Sequence, residues 1–395
     1  MHNPLLDQLS DYPFERLRAL LSGPSGDAAP VDMSIGAPRH APPDFFTTAL
    51  EQASAGWCRY PPREGLRDLR HAVAEWLIWR YHVPADMIEP DSQIVPVSGT
   101  REALFMTALV AVMPQHKGKK PAVLMPNPAY QVYPGAATMA GAEPILLPAT
   151  ADNGFQPDLA SLPTELLDRT CLAYLNSPAN PQGSILNLDR LVAAVELARR
   201  YNFVLAVDEC YTEIYTGNPP PGALEACQRL GGTCDNVLVF HSLSKRSNLP
   251  GLRSGFVAGD RKLISLFTTL RDYGGAQVPL PVQEVSAALW RDEKHVHANR
   301  ILYRNKFDLA LDIFGDTYGC ARPGGGFYLW LDVGDGAATA QRLWDKAGIR
   351  VMPGAYMGRE LDGINPGTPY IRVALVHGME ETTRALTHMA RILDS

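Results

Sequence analysis

Short apolar runs alternate with amphipathic segments through the middle of this chain. The runs lie at residues 94–96, 122–125, 143–147, 171–175, 203–208, 237–241 and 254–258. Between several of them, most clearly over 189–201, apolar residues recur at helical spacing. The alternation predicts an α/β fold with a mostly parallel, seven-stranded type of sheet sandwiched by helices. In such sheets ligands bind at the carboxyl ends of strands, so the polar residues that follow the runs are functional candidates.

The pattern changes on both sides of this sheet. Residues 23–43 are rich in Gly, Pro and Ala and predict an extended arm. After Gly274, the pattern predicts one long helix or two consecutive helices over 281–314, strands at 326–333, 349–352 and 370–375, and helices at 338–347 and 379–393. We therefore predict an N-terminal arm (1–45) that contributes to a small domain, a large domain (46–280) and a small C-terminal α+β domain (281–395).

Composition narrows the class of protein. The 395 residues are 46% hydrophobic, which is enough for a large core, and the net charge of −6 lacks long runs of one sign. Nucleic acid and anionic membranes are therefore unexpected partners. Six cysteines without a C-x-x-C pair, and histidines without metal-ligand spacing, predict reduced thiols and no metal site. With no evident signal peptide or membrane-spanning stretch, we expect a soluble, cytoplasmic protein.

One lysine stands among small hydroxyl residues. In the segment His-Ser-Leu-Ser-Lys that begins at His241, Lys245 follows Ser242 by three residues and precedes Arg253 by eight. A lysine amine can form a Schiff base with an aldehyde cofactor, and a serine with an arginine can hold that cofactor's phosphate. The segment predicts an anchor for pyridoxal phosphate. A bare S-x-S-K is common, so the prediction depends on the rest of the chain.

A pyridoxal ring makes further demands. Its nitrogen stays protonated beside a buried carboxylate, and Asp208 ends an apolar run where such a carboxylate belongs. Its phenolic oxygen needs donors, which Tyr211 and Asn180 can supply. Tyr130, just after a predicted strand, can stack on the ring. Taken singly, Asp208 could equally satisfy loop amides, Asn180 could be a turn residue and Tyr130 a surface or core tyrosine.

The phosphate and the substrate need binding groups too. Ser98-Gly99-Thr100-Arg101 opens a predicted helix, whose first amides can bind phosphate, although an ordinary N-cap by Ser98 or Thr100 is the alternative. Arg372 interrupts an apolar strand. A buried arginine is costly unless paired, so the α-carboxylate of an amino acid is a reasonable partner. The alternative is an edge-strand arginine that faces water.

The order of these residues resembles a known family. From about Asp32 to Leu393 the chain is similar to class I/II aminotransferases of fold type I. The matching motifs are Tyr60-Pro-Pro-Arg-Glu-Gly-Leu, Ser98-Gly-Thr-Arg-Glu-Ala-Leu, Asn180-Pro-Gln-Gly, Asp208-Glu-Cys-Tyr, Ser242-Leu-Ser-Lys, Pro250-Gly-Leu-Arg and Arg372. The turn at Asn180 departs from the family, which often has Thr where this chain has Gln182.

The resemblance implies roles for these positions. Lys245 would carry the cofactor and then move the proton between the substrate Cα and the cofactor C4′, while Asp208 would pair with the ring nitrogen. The remaining roles would be hydrogen bonds to the ring oxygen (Tyr211, Asn180), stacking (Tyr130), phosphate binding (Gly99, Thr100, Arg101, Ser242, Arg253), and substrate binding (Gly36, Asn180, Arg372). Tyr60 would reach the phosphate of the neighbouring subunit in a homodimer with shared active sites.

A narrower resemblance covers almost the whole length. Asn3-Pro-Leu-Leu-Asp, Tyr12-Pro-Phe-Glu-Arg-Leu, Phe240-His-Ser-Leu-Ser-Lys-Arg-Ser-Asn and His295-Val-His-Ala-Asn-Arg are similar to succinyldiaminopimelate transaminases of lysine biosynthesis. This implies ping-pong amino transfer between glutamate and N-succinyl-2-amino-6-oxopimelate. Arg39 and Arg271 are candidates for the distal carboxylates, although a solvated surface role is the simpler interpretation of each. His241 could line the pocket or simply pack at the strand end.

Other functions remain open from the residues alone. The same motifs suit an aminotransferase of aspartate, alanine or aromatic amino acids, a C–S β-lyase, or an enzyme of cyclopropane-forming elimination. A non-catalytic sensor domain of a transcription regulator is disfavoured, because the arm motif at Ser34-Ile-Gly36 begins near the start of this sequence and the charge is negative. The N-terminal leucines could cover a partner's active site or the chain's own small domain.

Overall fold

The computed structural model describes residues 1–9, 12–27, 29–115 and 118–395. Its strands are β1 (Val31–Asp32), β2 (Ile94–Val97), β3 (Ala122–Asn127), β4 (Glu143–Pro148), β5 (Thr170–Asn176), β6 (Val204–Asp208), β7 (Val237–Ser242), β8 (Gly255–Gly259), β9 (Tyr328–Asp332), β10 (Ile349–Arg350), β11 (Met352–Pro353) and β12 (Tyr370–Ala374). All seven runs predicted for the large sheet are strands, displaced by at most a few residues at their ends.

The helices surround these strands. They are α1 (Pro13–Leu20), α2 (Phe46–Gln52), α3 (Arg67–Tyr81), α4 (Pro90–Gln93), α5 (Thr100–Ala111), α6 (Val132–Met139), α7 (Thr164–Leu167), α8 (Leu188–Tyr201), α9 (Ala223–Arg229), α10 (Leu243–Arg246), α11 (Arg261–Gly274), α12 (Leu280–Arg291), α13 (Lys294–Phe314), α14 (Gly336–Ala347), α15 (Gly354–Met357) and α16 (Met379–Leu393). Short 3₁₀ helices lie at Pro4–Gln8, Ser54–Cys58, Ala85–Met87, Ala151–Asn153, Leu159–Ser161, Pro250–Leu252 and Thr317–Gly319. Among the described residues, no helix has the length and apolar character needed to cross a bilayer.

The large sheet has seven strands in the order β2-β8-β7-β6-β5-β3-β4. Strand β8 runs antiparallel to both of its neighbours, and the other pairings are parallel. The central strands β5 and β6 are buried at every position, as expected where helices cover both faces of a sheet. The predicted α/β class and the mostly parallel seven-stranded sheet are confirmed.

Alternate side chains of the strands enter two separate cores. Leu205 and Val207 of β6 pack in the core formed with α3, α8, α9 and α12. Val204 and Ala206 of the same strand pack on the opposite face, in the core formed with α5, α6 and α11. Because successive residues of a strand point to opposite faces, a continuous apolar run is what a strand inside a three-layer sandwich requires.

Helix α8 shows how the local sequence produces one of these layers. The side chain of Asn187 caps its first turn by accepting a hydrogen bond from the amide of Arg190. Its buried residues, which recur every three or four positions, are Leu191, Ala194, Val195 and Ala198. Asn202 ends the helix in the left-handed conformation, which asparagine tolerates better than most residues. The helix therefore begins and ends where the sequence supplies caps.

A second, smaller unit is built from the C-terminal strands and the arm. Strand β12 lies between β11 and β9 in an antiparallel sheet, and β1 of the arm pairs in parallel with β10. The predicted strand over 349–352 is thus divided between two sheets. The predicted helical region 281–314 is two helices, α12 and α13, which are separated at Asp292 and Glu293.

The division into domains remains a prediction, and packing favours one adjustment to it. Helix α12 contributes Val285, Leu289 and Trp290 to the core of the large sheet. We therefore place it with the large unit and move the proposed boundary from residue 280 to the α12–α13 junction. At the N-terminus, Leu17 and Leu21 pack against Trp344 and Met352, so α1 covers the chain's own small unit.

Candidate active site

A cavity of about 400 Å³ lies where the carboxyl ends of the central strands meet the small unit. Its lining residues are Phe14, Ile35, Gly36, Ala37, Thr100, Arg101, Tyr130, Gln131, Asn176, Asn180, Asp208, Cys210, Tyr211, Ser242, Ser244, Lys245, Pro250, Arg253, Tyr328 and Arg372. The volume is within the usual range of small-molecule sites. The residues to which the family resemblance gives cofactor or substrate roles all line this cavity except Gly99 and Tyr60, and Gly99 directly precedes the lining residue Thr100.

Lys245 lies in the single turn of α10, directly after β7. Ser242 caps this turn, since its hydroxyl accepts a hydrogen bond from the amide of Ser244 over 3.1 Å. The Lys245 amine donates to the carbonyl of Gly36, on the arm, over 2.6 Å. Burial lowers the pKa of Lys245 to about 8. A larger share of this amine is therefore uncharged near neutral pH than is usual for lysine, which favours attack on an aldehyde.

Asp208 ends β6 and is buried, with 5% of its surface exposed. One carboxylate oxygen accepts a hydrogen bond from the Tyr133 hydroxyl over 2.8 Å, and the other accepts from the amide of Cys210 over 3.2 Å. Burial raises the pKa of Asp208 above its usual value, and these hydrogen bonds oppose the rise. A cation placed beside the carboxylate would favour its ionised form, so the position suits a protonated ring nitrogen.

The first turn of α5 faces the cavity with free amides. Gly99 is the N-cap with φ of 92°, and no side chain among the described residues caps the helix. The alternative of an ordinary cap by Ser98 or Thr100 is wrong: Gly99 holds the N-cap position without a side-chain cap bond, the Ser98 hydroxyl donates to the carbonyl of Ala276, and the Thr100 hydroxyl lies against the Cys210 thiol. A Cβ at Gly99 would collide with the guanidinium of Arg253. Glycine here lets an arginine approach a helix N-terminus, an arrangement that suits a phosphate.

Arg101 and Tyr130 contact each other at one side of the cavity. The Nε of Arg101 donates to the Tyr130 hydroxyl over 2.6 Å, and the guanidinium carbon lies 5.8 Å from the ring centroid. Burial raises the pKa of Tyr130 to about 12, although the arginine opposes the rise. The phenol is therefore neutral at physiological pH, and its ring is held in the cavity wall by the arginine.

Arg372 lies on β12 and is buried, with 4% of its surface exposed. Its two terminal nitrogens donate to Asn180 Oδ1 over 2.9 Å and to the carbonyl of Ser34 over 2.6 Å. The alternative of an edge-strand arginine facing water is wrong. Neither acceptor carries a full charge, so the guanidinium is hydrogen-bonded while its charge can still attract a carboxylate in the cavity. Asn180 is thereby placed beside Arg372.

Tyr211 and Tyr328 complete this side of the cavity. Their hydroxyl oxygens lie 3.1 Å apart, and the Arg372 guanidinium carbon lies 4.4 Å from the Tyr328 ring centroid. A Cβ at Gly36 would overlap the Tyr328 hydroxyl, which explains why the arm has glycine at this point. Tyr328 therefore links the predicted residues Gly36, Tyr211 and Arg372.

Several candidates lie elsewhere. The side chain of Tyr60 is fully exposed and does not line the cavity of its own chain. Arg39 is exposed, with Nη1 placed 3.2 Å from His377 Nδ1. Arg271 is buried, contrary to a solvated role, and donates to the carbonyls of Pro96 and Ala276. His241 packs in the core, with its ring 5.1 Å from that of Phe256. Neither Arg39 nor Arg271 faces the cavity.

Sequence reasoning missed three side chains at the site. Tyr133 bonds to Asp208, Tyr328 contacts Arg372, and the Cys210 thiol lies 3.1 Å from the Thr100 hydroxyl. Tyr133 follows Tyr130 by three residues; it lies in the first turn of α6, and Tyr130 lies two residues before that helix begins. Cys210 lies between Asp208 and Tyr211. The positions of Tyr133 and Cys210, close in the chain to predicted residues, were the available signal. Tyr328, in contrast, looks like an ordinary core residue of an apolar strand.

The residues of the cavity fit pyridoxal phosphate. An amine with a lowered pKa, a buried carboxylate without a charged hydrogen-bond donor, and an uncapped helix N-terminus beside an arginine match its aldehyde, ring nitrogen and phosphate respectively. Lys245, Asp208 and the Gly99–Arg253 pair are the groups in question. Without a bound ligand, the charge and polar atoms of each group would be incompletely satisfied.

Comparisons with known proteins agree with this chemistry. The family model "Aminotransferase class I and II" matches residues 29–389. A solved aminotransferase from Neisseria meningitidis Z2491 is 42% identical, with a TM-score of 0.93, and the match covers 99% of this chain and 100% of that one. The LL-diaminopimelate aminotransferase of Desulforudis audaxviator (strain MP104C) is 31% identical over 93% of this chain and 91% of its own length. The 4-dedimethylamino-4-oxo-anhydrotetracycline transaminase OxyQ of Streptomyces rimosus is 33% identical, covering 91% of this chain and 92% of its own. The chain belongs to the class I and II aminotransferases, pyridoxal-phosphate-dependent enzymes that exchange amino groups between amino acids and keto acids.

Proposed function

We propose that this aminotransferase transfers an amino group between glutamate and N-succinyl-2-amino-6-oxopimelate, a step of lysine and diaminopimelate biosynthesis. The observation that carries the proposal is the resemblance of segments from Asn3 to Arg300 to succinyldiaminopimelate transaminases. The relatives named LL-diaminopimelate aminotransferase support the same seven-carbon backbone. Acylation of the distal amino group is the part of the proposal that they do not address.

The charge of the cavity supports an anionic cofactor together with a substrate that carries an α-carboxylate. Four cationic side chains line the cavity, namely Arg101, Lys245, Arg253 and Arg372, against the single carboxylate of Asp208. The phosphate of the cofactor balances part of this excess, and an α-carboxylate balances more. The lining also includes apolar side chains of Phe14, Ile35 and Ala37, which can contact the methylene chain of a long substrate.

Each residue has a proposed task in the reaction. Pyridoxal phosphate, when bound, supplies the aldehyde that takes up the amino group and a ring that accepts electrons. Arg372 binds the α-carboxylate through two parallel donors and so orients the substrate Cα–H bond. Lys245 would act as the base at the substrate Cα and would deliver the proton to C4′ of the cofactor. Asp208 keeps the ring nitrogen protonated, and Tyr211 with Asn180 supplies donors for the ring oxygen.

The other proposed tasks concern binding of the cofactor. Gly99, Thr100, Ser242 and Arg253 hold the phosphate through helix amides, hydroxyls and a guanidinium. Arg101 adds a further positive charge, and Tyr130 stacks on the ring.

Gly36 leaves room for the substrate beside Tyr328. The covalent exchange between donor and acceptor predicts ping-pong kinetics.

A half-reaction screen tests the substrate. The purified, cofactor-loaded enzyme is mixed with single amino acids, and the loss of the visible absorption band of the bound cofactor is followed. The panel contains glutamate, N-succinyl-LL-diaminopimelate, LL-diaminopimelate, aspartate, alanine and phenylalanine. We expect rapid bleaching by glutamate and by the succinylated compound. Bleaching by aspartate, alanine or phenylalanine in preference to both would overturn the proposal.

LL-diaminopimelate itself is the second candidate substrate, because relatives with that name are 31% and 30% identical over more than nine tenths of this chain. The screen separates the two compounds directly. A C–S β-lyase is a further alternative on the same fold. Release of pyruvate and ammonia from cystathionine, without a keto acid acceptor, is the result that would favour it.

We further propose a homodimer in the cytoplasm. Three aromatic side chains, Trp57, Tyr60 and Tyr273, are 56%, 100% and 90% exposed, and the proposal is that a second copy of the chain covers them. Tyr60 is proposed to contact the phosphate in the site of the second copy.

The proposed location in the cytoplasm rests on the cysteines. All six are free thiols, which suits the reducing cytoplasm.

A further inference from the structure

A row of hydrogen bonds runs from a buried lysine to the backbone of Lys245. The amine of Lys306 lies 2.7 Å from His40 Nε2, and it also donates to the carbonyl of Leu375 over 3.0 Å. His40 Nδ1 lies 2.9 Å from Asn299 Oδ1. The amide of Asn299 then donates to the carbonyls of Lys245 and Arg246 over 3.4 and 3.5 Å. The row connects α13, the arm and α10.

The donors in this row all point the same way. Lys306 has only donors, so Nε2 of His40 must accept, and Nδ1 must then carry the proton that is donated to Asn299. The imidazole is therefore neutral in one defined tautomer. Burial and, to a lesser extent, the charge of Lys306 lower the pKa of His40, which maintains this neutral form. Lys306 and Asn299 are 2% and 3% exposed, so water competes little with these bonds.

His40 follows the part of the arm that contacts the reacting groups. The carbonyl of Gly36 accepts from the Lys245 amine, and the carbonyl of Ser34 accepts from Arg372. On the N-terminal side, the arm is fixed by the pairing of β1 with β10. On the C-terminal side, the hydrogen bonds of His40 to α13 are the corresponding attachment. The two carbonyls thus lie between two fixed points.

We propose that His40, as a neutral imidazole between Lys306 and Asn299, is a positioning residue that holds arm residues 34–40 over Lys245 and Arg372. Its action is indirect, since it does not line the cavity. The proposal concerns amino transfer by this chain in general and does not depend on which distal group the substrate carries.

Three variants distinguish this role from simple packing. His40→Gln keeps one acceptor and one donor at nearly the spacing of the two imidazole nitrogens, whereas His40→Leu keeps only bulk. His297→Leu makes the same chemical change at an exposed histidine of α13 and is the matched control. Amide hydrogen exchange of a peptide covering residues 29–42 is measured in the cofactor-loaded enzyme, together with kcat and KM for L-glutamate.

In His40→Leu we expect the arm to exchange about tenfold faster and KM to rise about tenfold, with a smaller change in kcat, because a buried hydrogen-bonded attachment is lost. His40→Gln and His297→Leu should match the wild type. The proposal would be overturned if His40→Leu had the same arm exchange and KM as the wild type. It would also be overturned if the arm of His40→Gln exchanged as fast as that of His40→Leu. If His40→Leu does not fold, Asn299→Leu replaces it, and unchanged arm exchange in that variant has the same consequence. Failure of the wild type to use glutamate would refute the proposed donor, while arm exchange would still decide the role of His40.

Discussion

The Tyr133 hydroxyl donates a 2.8 Å hydrogen bond to Asp208, and both side chains are buried. Tyr133 thus stabilises the ionised carboxylate that we propose to pair with the cofactor ring nitrogen. In Tyr133→Phe, burial should raise the pKa of Asp208 further, because one of the opposing hydrogen bonds is gone. We expect about tenfold weaker binding of pyridoxal phosphate, in line with the loss of a hydrogen bond to a charged group.

The measurement is a titration of the cofactor-free protein with pyridoxal phosphate, in which binding is monitored by protein fluorescence. Tyr174→Phe is the matched control, because Tyr174 stacks on Tyr133 with ring centroids 4.6 Å apart but donates to the carbonyl of Leu104. It should bind the cofactor as the wild type does. Equal affinity in Tyr133→Phe and the wild type would show that the phenol does not support Asp208.

Arg372 should govern binding of the amino acid and leave cofactor binding unchanged. Replacing it with leucine removes the proposed partner of the α-carboxylate, and we expect kcat/KM for the amino donor to fall about 100- to 1000-fold. Arg372→Lys keeps the charge but loses the two parallel donors, so an intermediate loss is expected. Steady-state kinetics and a cofactor titration are compared with Arg304→Leu, an exposed position on α13. A selective loss of cofactor affinity in Arg372→Leu would contradict this role.

The lowered pKa of Lys245 predicts how capture of the cofactor depends on pH. The uncharged amine is the reactive form, and its fraction rises about tenfold per pH unit until pH reaches the pKa of about 8. The rate constant for appearance of the visible band should therefore rise with pH up to about 8 and then level off. Stopped-flow mixing of cofactor-free protein with pyridoxal phosphate measures it. Lys245→Ala should show neither the band nor turnover, and a rate that continues to rise to pH 10 would indicate an ordinary lysine.

The proposed shared site can be tested by mixing two inactive or impaired variants. Lys245→Ala lacks the amine, and Tyr60→Ala lacks the side chain proposed to cross the interface. In a mixed dimer, the site containing Lys245 from the Tyr60→Ala chain would receive an intact Tyr60 from the other chain. We expect refolding of the two variants together to restore activity above the sum of the separate preparations. No gain in a preparation shown to contain mixed dimers would exclude a contribution of Tyr60 across an interface.

The strands of the large sheet and the residues after them were predictable because local patterns specify both. A parallel strand buried on two faces needs an unbroken apolar run, and the run that ends at Asp208 has this property. Lys245 and Arg372 were identifiable for a related reason, since a charged side chain near or within a buried element needs a partner. Their spacing along the chain then matched one family.

Contacts between distant segments were not predictable in the same way. Arg271 lies in a polar stretch that suggested a surface role, yet its guanidinium satisfies the carbonyls of Pro96 and Ala276 inside the protein. The sequence by itself determined the α/β class and the cofactor, and it indicated the residues that we propose to carry the chemistry, because periodicity and reactive groups are properties of short segments. Only the tertiary structure decided that Tyr133 bonds to Asp208 and that His40 lies between Lys306 and Asn299. These pairs join residues far apart in the chain, and their geometry is set by the packing of whole elements.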